Sequence, residues 1–214
     1  MIGRVQGTQG QGDRGQGTGQ FLLITMKQAL DYLKIAIICV VFPLVTSGRE
    51  PEPSFPNVVE LSSSEIPLTK LGEYRYVYRM FFKLYDAALY VTEGAEADDV
   101  LAANSSYRLQ FRYLREIDKS IILTSSTKML EKNLSSKEMA QIAERVDRLN
   151  AAYQTVKEGD RSSLTYQPDT GTSLKINGAP VITIEGEDFA RLYFKIWLGE
   201  RPISETLRAR LLGG

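Results

Sequence analysis

Asn177-Gly178, set between Leu174-Lys175-Ile176 and Pro180-Val181-Ile182-Thr183-Ile184, is the strongest local constraint on how this 214-residue chain can fold. A two-residue Asn-Gly connection favours a type I′ turn, because both central residues must take positive φ. The twist of that turn matches the twist of a β-hairpin. Other segments follow the same grammar. Tyr74, Tyr76 and Tyr78 alternate with Arg75, Val77 and Arg79, and Tyr107 to Leu114 alternates likewise. Aromatic and β-branched residues at period two predict strands. Val58 to Leu61 reads as a short strand, while Pro67 and the Ser62–Ser64 triplet predict an edge or a turn between Glu60 and Leu71. The apolar stretch Arg79 to Val91 reads as one long central strand, and Asp169-Thr170-Gly171 as a turn.

Between these strands the period changes to that of helices. Ile121, Ile122, Met129 and Leu130 predict a helix over Asp118 to Asn133, and Met139 through Val156 predict a second over Ser136 to Val156. Ser135 followed by Glu138 has capping-box spacing, and Gly159 reads as the stop. Near the C-terminus, Phe189, Leu192, Tyr193, Ile196 and Trp197 predict a helix ended by Gly199. Ser204 can cap a last one over Glu205 to Leu212. Strands, helices, hairpins, helices: the order predicts an α+β fold, with helices laid against a mostly antiparallel sheet.

The first 57 residues differ from the rest. Residues 1–25 are Gly/Gln-rich without apolar spacing and read as a disordered lead, with Met26 as a second start. Over 26–48, Lys27 and Lys34 precede the apolar Ile35–Val45 and the small Thr46-Ser47-Gly48, the layout of a cleaved secretory signal. Eleven apolar residues fall short of the roughly 20 that a relaxed transmembrane helix needs, so the alternatives are an uncleaved anchor or a core helix. Residues 49–57, with three prolines, read as a linker, and 58–214 as a single domain. Export would place the domain in the periplasm or outside the cell, with no membrane span in its mature form.

Several chemistries are excluded by composition. There is no histidine, so Ser-His and Cys-His nucleophile pairs and imidazole metal ligands are absent. The one cysteine, Cys39, lies within the signal. Basic and acidic residues number 26 each, and loss of residues 1–48 leaves the domain near neutral, so nothing points to nucleic acid. No phosphate loop, dinucleotide fingerprint or metal-ligand spacing is present, and no cofactor or metal is expected.

The remaining candidates are few. Arg75 and Arg79, on one parity of an aromatic strand, read either as a cationic anchor for a carboxylate or as a solvated sheet face. The tyrosine hydroxyls can line a cleft or pack half-buried. Lys83 and Asp86 have opposite parity, which argues against a catalytic pair. Glu158-Gly159-Asp160 reads as a solvated turn.

Phe81–Val91 (FFKLYDAALYV), Val156–Gly178 (VKEGDRSSLTYQPDTGTSLKING) and Gly186–Gly213 (GEDFARLYFKIWLGERPISETLRARLLG) occur in that order. Together they resemble the bacterial chalcone isomerase-like family, over about Val58 to Gly213. The resemblance implies an open-faced β-sandwich, a large antiparallel sheet with helices packed on one face. Plant enzymes of this fold cyclise a chalcone to a flavanone. They use an arginine and a threonine on a long hairpin, a tyrosine and an asparagine near a helix start, and a threonine near the C-terminus. By position, the hairpin threonine falls on Tyr85 and the tyrosine near Ile117, while the asparagine has no counterpart. Thr206 lies about one residue out of register with the C-terminal threonine. The arginine role falls to Arg75 or Arg79.

Without the tyrosine-asparagine arrangement, cyclisation lacks its positioning groups. The resemblance therefore implies a binder first, in the manner of the family's fatty-acid-binding members: a small apolar carboxylate held by Arg75 or Arg79 with Tyr85 and Thr206. An isomerase acting on a chalcone-like substrate, and an envelope partner-binding protein, are the alternatives.

Overall fold

A computed structural model describes residues 55–61 and 64–214; the Gly/Gln-rich lead, the 26–48 segment and Cys39 lie outside the described residues. Among the described residues seven strands form one antiparallel sheet in chain order: β1 Val58–Leu61, β2 Ser64–Tyr78, β3 Phe82–Thr92, β4 Tyr107–Tyr113, β5 Arg161–Gln167, β6 Gly171–Ile176 and β7 Ala179–Ile184. The short helix α1, Ala97–Ala102, links β3 to β4. Two long helices, α2 Lys119–Asn133 and α3 Ser136–Ala152, link β4 to β5, and α4 Glu187–Tyr193, α5 Lys195–Leu198 and α6 Glu205–Leu211 follow β7. The expected α+β architecture, a large antiparallel sheet with helices on one face, is what forms.

Alternation divides the sheet into two faces. Along β3, Tyr85, Ala87, Leu89 and Val91 join Tyr107, Leu109, Phe111 and Tyr113 of β4 in the main core beneath the helices. Each large apolar side chain buried there stabilises the fold by about 1.5–3 kcal/mol. The other face carries a smaller cluster, in which Phe55, Leu61 and Leu68 cover Ala88 and Tyr90.

That cluster corrects the reading of 49–57 as a linker throughout. Phe55 is buried, and its N–H donates to Glu73 Oε2 at 3.1 Å. Tyr90 Oη donates to the Pro56 carbonyl at 2.9 Å, and Lys70 Nζ to that of Phe55 at 2.9 Å. The folded unit therefore reaches back at least to Phe55. The region between Glu60 and Leu71 is likewise mostly strand. Pro67, which has no N–H to donate, sits at the irregularity where the β1–β2 register slips between Val59 and Leu61.

Arg79 to Val91 is not one strand. The chain reverses at Arg79-Met80, whose φ values are 48° and 64°, with Phe81 N donating to Tyr78 O at 3.3 Å. Asn177 and Gly178 take φ of 49° and 81° in the expected hairpin. The two turns share a left-handed geometry, but only the second uses residues suited to it. Left-handed φ costs a non-glycine residue about 1–2 kcal/mol, so Arg79-Met80 is an expensive choice. A bulge between Tyr76 and Val77 also breaks the parity that Arg75 and Arg79 share in the sequence.

The helices start where their caps require. Asp118 accepts from Ser120 N at 2.8 Å to open α2, Ser135 and Glu138 form the reciprocal box that opens α3, and Ser204 accepts from Leu207 N to open α6. Helix α3 stops at Ala152, short of Val156, because Val156 pairs with Ile117 as an isolated antiparallel bridge. Among the described residues no helix is long and apolar enough to cross a membrane.

Candidate functional site

Between the helix-covered face of the sheet and α2 and α5 lies an inner cavity of about 90 Å³. Tyr85 and Phe111 form its floor, Tyr153 and Trp197 its walls, and Ile122 and Ser125 of α2 its cover. It adjoins an outer cleft of about 680 Å³, sharing Tyr76, Leu84, Ile117, Ile121, Ser125 and Ile203 with it. The outer part alone falls in the range of about 300–1,000 Å³ usual for small-molecule sites.

Interlocking rings set the floor. Tyr85 packs at 5.1 Å from Tyr76 and edge-on at 5.2 Å from Phe111, and Phe111 lies 5.4 Å from Trp197. Such pairs contribute about 0.5–1.5 kcal/mol beyond burial, so this end of the site is stiff. Ile203, which lines both spaces, donates its N–H to the Ile196 carbonyl at 2.9 Å, and the turn before it is tied to α2 by Asn133, whose amide nitrogen donates to the Met129 and Arg201 carbonyls and whose oxygen accepts from Arg201 N at 2.9 Å.

The inner cavity contains hydroxyls but no charged side chain. Tyr113 Oη is 2.9 Å from Ser162 Oγ. The Tyr85 hydroxyl is enclosed and makes no hydrogen bond. Burial pushes its phenol far above the ordinary range and Tyr76 adds to that, while Trp197 offsets part of it without meeting hydrogen-bond geometry. Burial also pushes Tyr153 well up and raises Tyr193 to about 12. These phenols stay neutral at physiological pH. They can donate hydrogen bonds but cannot act as bases.

Charge is confined to the rim of the outer cleft, where Arg115, Lys128 and Lys132 stand with one acid, Glu116. All four are exposed. Arg115 lies over the Phe82 ring, its Cζ 5.5 Å from the centroid.

Of the four site residues expected from the sequence, the structure places only Tyr85 in the cavity. Arg75 is on the opposite face, where its Nε donates to Asp86 Oδ1 at 2.7 Å and Nη2 to Oδ2 at 3.2 Å. Arg112 approaches the same carboxylate at 2.5 Å from the next strand. Arg75 therefore faces away from the cavity, on a carboxylate buried across the sheet. Arg79 is exposed in the hairpin turn, 5.3 Å from the Tyr78 ring centroid. Thr206 is exposed on α6 and lines neither the cavity nor the cleft. Sequence reasoning missed Trp197, Ile121, Arg115 and Lys128. One signal was available: Ser125 and Ser126 interrupt the apolar stripe of α2, where a plain core helix would continue it.

Among the described residues no cluster of His, Cys, Asp or Glu could hold a metal ion. No curated protein sequence matches the chain. The fold is similar to the crystal structure of a fatty-acid binding protein of Arabidopsis thaliana, with a TM-score of 0.56 and 15% identity over 74% of this chain and 91% of the other. The chalcone isomerase-like family profile matches residues 52–213, about three quarters of the chain and the whole of the sheet with its helices, and the protein belongs to that family.

Proposed function

We propose that this protein is a non-catalytic binder of a small apolar carboxylate such as a fatty acid. The observation that carries the reading is the continuity of an uncharged inner cavity with a larger cleft whose rim is cationic. A carboxylate at the inner end would be buried with no cation beside it, which is costly. The ligand therefore lies with its tail toward Tyr85 and Trp197 and its head at the rim. Arg115 and Lys128 take the anchoring role that the sequence assigned to Arg75 or Arg79. The similarity to a fatty-acid binding protein supports a lipid-like ligand. Residues 26–48 direct the domain out of the cytoplasm, to the periplasm or beyond.

Native mass spectrometry of protein purified from cells, followed by organic extraction, tests this. A co-purifying fatty acid, lost in an Arg115→Glu/Lys128→Glu variant, supports it. An empty protein that also fails to take up added dodecanoate refutes it, and turnover of a chalcone by the pure protein would put the isomerase reading in its place.

A further inference from the structure

The β2–β3 hairpin tip projects apolar side chains into solvent. Met80 is 83% exposed, Phe81 79%, Phe82 46% and Tyr78 44%, and Ile121 of α2 is 57% exposed. Single exposed apolar residues are ordinary, but these stand together. Tyr78, Phe82 and Ile121 all line the outer cleft, so the hairpin that carries Met80 and Phe81 borders its mouth. Cations are set among them: Arg79 lies in the turn beside Tyr78, Arg115 lies over Phe82, and Lys128 lines the same cleft, against the single acid Glu116.

The turn itself adds a second observation. At Asn177-Gly178 this fold makes the same left-handed reversal with residues that adopt it readily, yet the β2–β3 turn places Arg79 and Met80 there and follows them with Phe81. Residues held in sparsely populated backbone regions collect at functional surfaces. Stability would favour asparagine and glycine at this tip, and solubility would favour polar groups, so the apolar residues serve something else.

We propose that this tip, with Ile121, docks the protein on an anionic lipid surface and so presents the cleft mouth to the bilayer. Apolar residues that enter the interface while neighbouring arginines and lysines meet anionic headgroups are the composition of interfacial membrane anchors. A tip of about five side chains is small beside the 20–30 residues that each partner of a stable protein interface contributes. The inference goes beyond the binding reading and does not require it. Docking is read from vesicles, whereas ligand capture is read from uptake in solution.

The test is co-sedimentation of the full chain with vesicles of phosphatidylglycerol in phosphatidylcholine, and with phosphatidylcholine alone. The parent chain should sediment with the anionic vesicles and be released by salt. Met80→Asp/Phe81→Asp should reduce the bound fraction roughly tenfold or more, because the two apolar side chains that enter the interface are lost. Arg79→Glu/Arg115→Glu should abolish the preference for the anionic lipid. Met80→Asn/Phe81→Ser, whose asparagine suits the left-handed turn, guards against a folding defect, and unchanged melting temperatures confirm it. Uptake of dansyl-undecanoate from vesicle-free solution should persist in both tip variants, which separates failure of docking from failure of the pocket. Equal sedimentation of parent and tip variants overturns the proposal, since binding then resides elsewhere, as in residues 26–48. So does absence of parent binding to either vesicle. Concentration-dependent self-association abolished by the tip variants would assign the patch to a second copy of the chain and overturn it equally.

Discussion

Tyr85 and Asp86 are neighbours on β3 and stand on opposite faces of the sheet, Tyr85 on the cavity floor and Asp86 wholly buried between Arg75 and Arg112. One residue step thus separates the ligand site from the ionic staple that ties β2, β3 and β4 together. Arg75, Asp86 and Arg112 are directly opposed in the register, so pairing alone brings the three side chains into line.

Replacing Asp86 with asparagine should destabilise the fold by about 3–5 kcal/mol, because two arginines lose their buried counter-charge. The Asp86 carboxyl loses stability by burial, but the hydrogen bonds and charges of Arg75 and then Arg112 outweigh this and hold it below the usual range. A depressed folded pKa gives stability that is present above the unfolded value, near 4, and lost as pH falls through the folded value. Urea titrations should therefore show the parent weakening below about pH 4 more steeply than Asp86→Asn. Fatty-acid uptake by the variant, where folded, should be unchanged.

Tyr85→Phe removes an enclosed hydroxyl that makes no hydrogen bond. Loss of an unsatisfied polar group is neutral or stabilising, so denaturation should be unchanged or improved by up to about 1 kcal/mol. With the ligand tail at this end, affinity for dodecanoate should also change little. Arg115→Glu/Lys128→Glu should lower that affinity by roughly tenfold or more, the worth of a hydrogen bond to a charged group. A calorimetric titration of both variants that showed the reverse order would turn the ligand around.

Gly72 sits at a bulge in β2 where α6 crosses it; an added Cβ would lie 2.0 Å from the Arg210 carbonyl oxygen and 2.8 Å from that of Leu211. Both obstacles are backbone and cannot swing aside. Gly72→Ala should cost about 1–3 kcal/mol or more, and a thermal melt should fall by several degrees.

What was legible in the sequence followed from local physics. Ser135 and Ser204 marked helix starts because a cap needs only its own next three residues, and Asn177-Gly178 marked its turn for the same reason. The Arg79-Met80 turn was hidden because its residues carry no turn signal, so the strand seemed to run through it. The partnership of Arg75 with Asp86 depends on a register set by bulges at Lys70–Gly72 and Tyr76–Val77, which no local pattern reports. Phe55 was taken as linker because the prolines around it mask its burial. Tyr85 came from family resemblance, whereas Trp197 and Arg115 reach the site only through the packing of α5 and of the loop before α2.

Trp197 is the only tryptophan in the chain, and it lines the inner cavity. Its fluorescence, followed during titration with dodecanoate below the concentration at which that acid forms micelles, reports directly on whether an apolar tail enters beside Tyr85. Tail entry beside Tyr85 predicts a saturable change at one ligand per chain, weakened in Arg115→Glu/Lys128→Glu and retained in Asp86→Asn. A spectrum that does not move, or moves equally in all three proteins without saturating, would contradict it.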